Sequence, residues 1–166
     1  CPKKFYFVCQ IIAPQAASTV SLKNWFLTWG DTDNFRLGCL VLNMLSVDVE
    51  DYYQLLSRNR LGVEIPPTHH VVENTLQILH ILQGSNTRAT FFVLGTVAEH
   101  FPELVEEIAN AGHEVGTHGY SHRYINQMSP QEFSAELSLS LSILRDLARQ
   151  GVIGHRAPAF SLKADC

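Results

Sequence analysis

The chain of 166 residues contains no run of 18 or more apolar residues, so a membrane-spanning helix is not expected. It has no basic surplus either. Twelve Lys and Arg stand against 16 Asp and Glu, a formal net charge of −4, which removes the electrostatic ground for nucleic-acid binding. Charged residues are few, at 17%, while apolar ones reach 46%, a balance that excludes a disordered or fibrous chain. Paired CxxC spacings are absent. Cysteines stand at positions 1, 9, 39 and 166, an even count that permits disulfides without selecting a pairing and that does not form a zinc ribbon. No internal repeat or low-complexity segment is present. The length suits one domain, which buries roughly 70% of its unfolded surface at this size.

What is present changes character along the chain. Residues 1–39 show no sustained periodicity. Lys3 and Lys4 precede an apolar run, Phe5–Ala13, followed by Ala16, Ala17 and Ser18, which faintly has the form of a secretory signal. Gln10 interrupts that run and the first residue is not Met, so the compartment, cytoplasmic or cell-envelope, stays open. From Leu40 the pattern becomes readable. Leu40–Val47 suits a strand buried on both faces, and Val72, Leu76, Leu79 and Leu82 stand at helical spacing before Gly84. Ala89–Leu94 is a second short strand, followed by one helix with Val97, Phe101, Leu104, Val105 and Ile108 on a stripe and Gly112 as its stop. His113–Thr117 forms a third strand. Ser129-Pro130-Gln131-Glu132 has the form of a capping box opening a helix, with Phe133, Leu137, Leu141, Leu144 and Ala148 on one face and a stop near Gly151. Val152-Ile153-Gly154 leads into a fourth strand. Strands alternating with helices predict parallel βα units.

In parallel α/β folds functional groups gather at the C-terminal ends of strands. Here those ends carry Asp48-Val49-Glu50-Asp51, then His118-Gly119-Tyr120-Ser121-His122, then His155-Arg156. His118 and His122 are spaced so that one helical turn would put both imidazoles on one side, able to grip a single metal ion. A carboxylate from the neighbouring strand end would complete the set. HxxxH alone is a weak signal in a chain with eight histidines, and a solvated acidic loop beside two surface histidines would also produce it. The coincidence of both groups on one rim favours the metal. Asp48, nearest the strand, suits a general base, leaving Glu50 or Asp51 as the ligand. Arg156 either orients a carboxylate or forms a structural ion pair. Tyr120 either packs or offers its backbone N–H to the site. His69, His70, His80, His100 and His113 are assigned no role.

Taken together, Ser46–Tyr53 (SVDVEDYY), Ala89–Gly95 (ATFFVLG), Ala111–His122 (AGHEVGTHGYSH) and Arg156–Phe160 (RAPAF) resemble the NodB-type polysaccharide deacetylases, carbohydrate esterase family four, and most of all the branch associated with exopolysaccharide gene clusters. The resemblance runs from about Leu40 to Leu162. It implies a distorted (β/α) barrel, a zinc-like divalent metal, and removal of acetyl groups from an N-acetylated polysaccharide. Asp48 matches the family's catalytic base, His118 and His122 its metal histidines, and Arg156 the arginine that orients the base. The metal acid of the family usually follows the base directly. Val49 stands there instead, so that role passes to Glu50, with Asp51 as competitor.

The resemblance further implies that metal and a backbone N–H, with Tyr120 as a candidate, stabilise the oxyanion while Asp48 takes a proton from water. The family's later motifs, including the Leu-x-His segment with the acid histidine, would lie beyond Arg156. About four βα units of an incomplete barrel are therefore expected, with residues 1–39 a leader or non-homologous segment and 40–166 the N-terminal part of the domain. A non-catalytic metal- or carbohydrate-binding remnant of the fold, or a deacylase for another amide, are the competing expectations.

Overall fold

The computed structural model describes residues 44–52, 61–63 and 65–162. The expectations for residues 1–39, and the start of the first strand at 40–43, lie outside the described residues. Three parallel strands, β1 (Ser46–Val49), β2 (Thr90–Val93) and β3 (Glu114–Thr117), lie side by side in chain order. Asp48 stands opposite Phe92, and Phe92 opposite Gly116, so these three form one row across the sheet. Helix α1 (His69–Gly84) connects β1 to β2, and α2 (Gly95–His100) with α3 (Pro102–Asn110) connects β2 to β3. After β3, a short 3-10 turn at Ile125–Gln127 precedes α4 (Pro130–Ala148). Each strand is laid beside its predecessor in one direction, and right-handed crossovers then place successive helices on the same face. That is the winding of a barrel wall, not of a doubly wound sheet.

Burial follows the strand period of two. Val47, Val49, Phe91, Val93 and Val115 face the helices and join Val97, Val105, Ile108, Leu144 and Val152 in the core. The other face carries Ser46, Asp48, Thr90, Phe92 and Glu114 and is more open: Asp48, Thr90 and Phe92 are half-buried and Glu114 is exposed. Gly116 continues this face because a Cβ there would stand 2.7 Å from the Phe92 ring.

Four sequence expectations need correction. The fourth strand is reduced to one parallel bridge between Thr117 and His155, held by Thr117 N–H to Gly154 O and Arg156 N–H to Thr117 O, each 2.9 Å. The single helix through Val97–Ile108 is two helices, because Pro102 cannot continue the first and instead starts the second. In α1 the buried face runs through Val71, Thr75, Leu79 and Leu82, while Leu76 is 37% exposed. Thr75 tolerates burial because its hydroxyl donates to Val71 O at 2.7 Å. In α4 the most buried positions are Ser140, Leu144 and Ala148, rotated from the expected apolar stripe.

The capping box of α4 is formed as expected. Ser129 Oγ accepts from Glu132 N–H at 3.2 Å, and Glu132 Oε2 accepts from Ser129 N–H at 2.8 Å. The Ser129 N–H first, and then Arg123, hold the Glu132 carboxyl down at about 2, against an ordinary value of 4.5. A carboxyl depressed on folding stabilises the native state above its unfolded value, and that contribution is lost as pH falls through the folded one. Glu132→Gln is therefore expected to lower the urea midpoint at neutral pH, with the difference from the parent shrinking below about pH 4.5 and vanishing near pH 2. A difference independent of pH would contradict the charge-based cap.

Candidate metal centre and its carboxylate–arginine pair

The site is assembled on the C-terminal rim of the sheet from the ends of β1 and β3 and from the bridge segment at His155–Arg156. Glu50 follows β1 directly. His118 follows β3, its N–H donating to Val93 O at 2.9 Å and so extending the β2–β3 ladder by one residue. The segment from His118 to His122 is a loop and not the helical turn expected from the spacing. Gly119 (φ +83°) and His122 (φ +59°) both take left-handed backbone, and this folds the two rings toward each other with centroids 5.3 Å apart. α2 helps hold the loop, since Gly95 N–H and Thr96 N–H donate to Gly119 O and Tyr120 O. Tyr120 packs its side chain against Gly95, with its hydroxyl donating to Glu99 at 2.7 Å.

Glu50 Oε2 lies 2.9 Å from His122 Nε2 and 3.6 Å from His118 Nε2. Ligand atoms of these three residues fall within 4.8 Å of one another, and among the described residues no other group of three does so. Both imidazoles are buried, with side chains 3% and 2% exposed. His118 Nδ1 sits 2.9 Å from the Arg156 carbonyl, which can only accept, so Nδ1 carries the proton. In the neutral ring its Nε2 is then a lone pair aimed at the Glu50 carboxylate. Burial is the main cause that keeps the His118 pKa below the usual imidazole value, against the opposing pull of Asp48 and Glu50. Burial pushes the Glu50 carboxyl up, but the close approach of His122, and then of His118, outweighs it and leaves the value lowered.

These donors fit a divalent cation. Glu50 Oε2 is buried, and its short contact with His122 lacks hydrogen-bond geometry, so the oxygen has no hydrogen-bond partner. One carboxylate and two neutral imidazoles are the donor types that borderline divalent metals take.

The two acidic candidates separate. Asp51 is 4% exposed and turned to Thr68, accepting from its N–H at 2.8 Å and its hydroxyl at 2.6 Å. It anchors the N-cap of α1 and stands outside the three-residue group. Asp48 pairs with Arg156 across the open face of the sheet, Nη1 to Oδ1 at 2.7 Å, with side chains 10% and 8% exposed. The guanidinium lies over the Phe92 ring at 4.2 Å and also donates to Ser46 Oγ at 2.5 Å. Arg156 thus joins both halves of the site, its side chain fixing Asp48 and its carbonyl fixing His118. Sequence reasoning missed Ser46 and Thr68 as partners. A Ser or Thr carries no signal until its neighbour in space is known.

Comparison with known proteins gives consistent results. The family model described as polysaccharide deacetylase matches residues 64–165. A peptidoglycan-N-acetylglucosamine deacetylase of Bacillus cereus is 42% identical over 77 residues, covering 46% of this chain and 28% of that protein. The structure of the peptidoglycan deacetylase PdaC of Bacillus subtilis superposes with a TM-score of 0.54 at 27% identity, over 60% of this chain and 48% of that one. A pseudoenzyme of family CE4 from Bacillus anthracis gives 0.54 at 27% identity, over 56% and 33%. The chain thus spans well under half the length of the curated relative.

Removing one partner of a buried ion pair leaves an uncompensated charge. Arg156→Met is expected to cost about 3–5 kcal/mol in urea unfolding, and adding Asp48→Asn to it should recover a large part of the loss. A single-variant cost below about 1 kcal/mol would place the pair among solvated surface contacts.

Proposed function

Given that the chain belongs to the polysaccharide deacetylase family, we propose that it hydrolyses N-acetyl groups on a polysaccharide. The convergence of Glu50, His118 and His122 on one point, beside the Asp48–Arg156 pair, carries this reading. The fold is that of the CE4 neighbours, incomplete here. Glu50, His118 and His122 would hold the divalent metal, and zinc suits one carboxylate oxygen and two imidazole nitrogens. Such an ion, when bound, polarises an acyl oxygen and acidifies water.

The chain's own groups supply the rest. Asp48 is the general base: Arg156 and its contacts fix one carboxylate oxygen, and the other takes a proton from the attacking water. Water adds to the amide carbon, the carbon–nitrogen bond breaks, acetate departs, and the proton lost by water goes to the sugar amine. Arg156 keeps Asp48 oriented and balances its charge in a half-dry site. The Arg156 carbonyl holds His118 in the tautomer whose Nε2 is free to ligate. Peptidoglycan and chitin are the polymers named for curated relatives, and an exopolysaccharide is a further candidate substrate.

A second reading has support from the structural neighbours, one of which is a pseudoenzyme. In that case the same residues bind metal or carbohydrate without turnover. Acetate release from peptidoglycan and from chitin oligosaccharides separates the two. The metal-loaded chain is expected to release acetate, a chelator to stop it, and Asp48→Ala to slow it by about 10²–10⁴-fold with metal still bound. Metal binding without any acetate release would establish the non-catalytic reading instead.

A further inference from the structure

Helix α4 carries a polar stripe on the side that meets the histidine loop. Glu132, Glu136 and Ser140 stand four residues apart, on one face. Ser140 is fully buried, beside Leu144 and Ala148 on a packed helix face where an alanine would satisfy packing alone. Its hydroxyl donates to Gly119 O at 3.2 Å. Thr117 Oγ1 lies 2.7 Å from Ser140 Oγ and accepts from Gly119 N–H at 3.1 Å. Since Ser140 spends its proton on Gly119 O, Thr117 is the donor to Ser140. The circuit is closed: Gly119 N–H to Thr117, Thr117 to Ser140, Ser140 to Gly119 C=O. It locks the backbone on both sides of the left-handed residue that follows His118.

One turn earlier, both oxygens of Glu136 accept from Ser121 Oγ, at 3.0 and 3.1 Å, and Oε1 also takes Arg123 Nη1 at 3.4 Å. Arg123 reaches Glu132 as well, at 2.9 Å. Ser121 and Arg123 are the two neighbours of His122, whose own backbone is left-handed without being glycine. That conformation persists only where surrounding contacts impose it.

We propose that Glu136 and Ser140 are positioning residues that hold His122 and His118 in ligating geometry, through the backbone of the loop and not through contact with either ring. The proposal rests on the reading of Glu50, His118 and His122 as a metal centre. It predicts that affinity for metal depends on two residues of α4 that are not themselves among the three proposed ligands.

The test is zinc titration of the full chain by calorimetry, together with the visible spectrum of the cobalt(II) form, for the parent, Glu136→Gln, Ser140→Ala and Leu144→Ala. Leu144 is equally buried on α4 and apolar, so its variant controls for lost packing. Glu136→Gln and Ser140→Ala are expected to weaken zinc binding by about 10–100-fold and to change the cobalt spectrum. Leu144→Ala should lower the unfolding midpoint and leave both readouts near the parent's. Glu136 is partly exposed, with 17% of its side chain accessible, so its variant carries the test even if Ser140→Ala folds poorly. Parent-like zinc affinity in Glu136→Gln, or an equal loss in Leu144→Ala, would overturn the proposal alone. Absence of zinc binding by the parent would overturn the metal-centre reading and this proposal with it.

Discussion

A carboxylate oxygen buried against two imidazole nitrogens is the constraint around which this molecule is arranged. In its neutral form, which burial favours, His118 presents a lone pair at Nε2, because its Nδ1 proton goes to the Arg156 carbonyl. Lone pair facing carboxylate is repulsive in a site of low polarity unless a positive charge lies between. Burial of the two rings makes the demand stronger by withdrawing water. The donor arrangement is one that a cation would relieve, and the surrounding contacts hold Glu50, His118 and His122 in register from two strand ends.

The sheet supplies that register. β1 and β3 do not touch; β2 lies between them, and the parallel ladder puts Asp48, Phe92 and Gly116 in one row. Any slip of one residue would send Asp48 to the helix-covered face. Arg156 then ties the bridge segment after α4 to the first strand, over 108 residues of sequence, by the ion pair to Asp48. Fold and site are in this sense the same set of contacts.

Much of this was legible from pattern. Short apolar runs located the strands, the Ser129–Glu132 box located the start of α4, and the chemistry-bearing residues were visible as strand-end clusters. The HxxxH spacing was informative about the pair and wrong about the conformation, because a left-handed glycine and a left-handed His122 can bring rings together as a helical turn does. The choice between Glu50 and Asp51 could not be made from alternation, since the strand ends at Val49 and the backbone direction beyond it depends on Thr68 capturing Asp51. Ser140 and Glu136 were hidden for a related reason. Periodicity assigned their helix face to leucines, whereas the helix turns its polar stripe toward a loop whose hydrogen bonds only the folded chain presents.

The identity of the atoms around the metal tests the central claim most directly. X-ray absorption at the zinc edge of the loaded full chain reads them without reference to turnover. The expected first shell is nitrogen and oxygen at about 2.0–2.2 Å, with the multiple-scattering pattern of two imidazoles that falls to one in His122→Ala. A shell containing sulfur near about 2.3 Å, drawn from the cysteines, or an all-oxygen shell unaffected by His122→Ala, would contradict it.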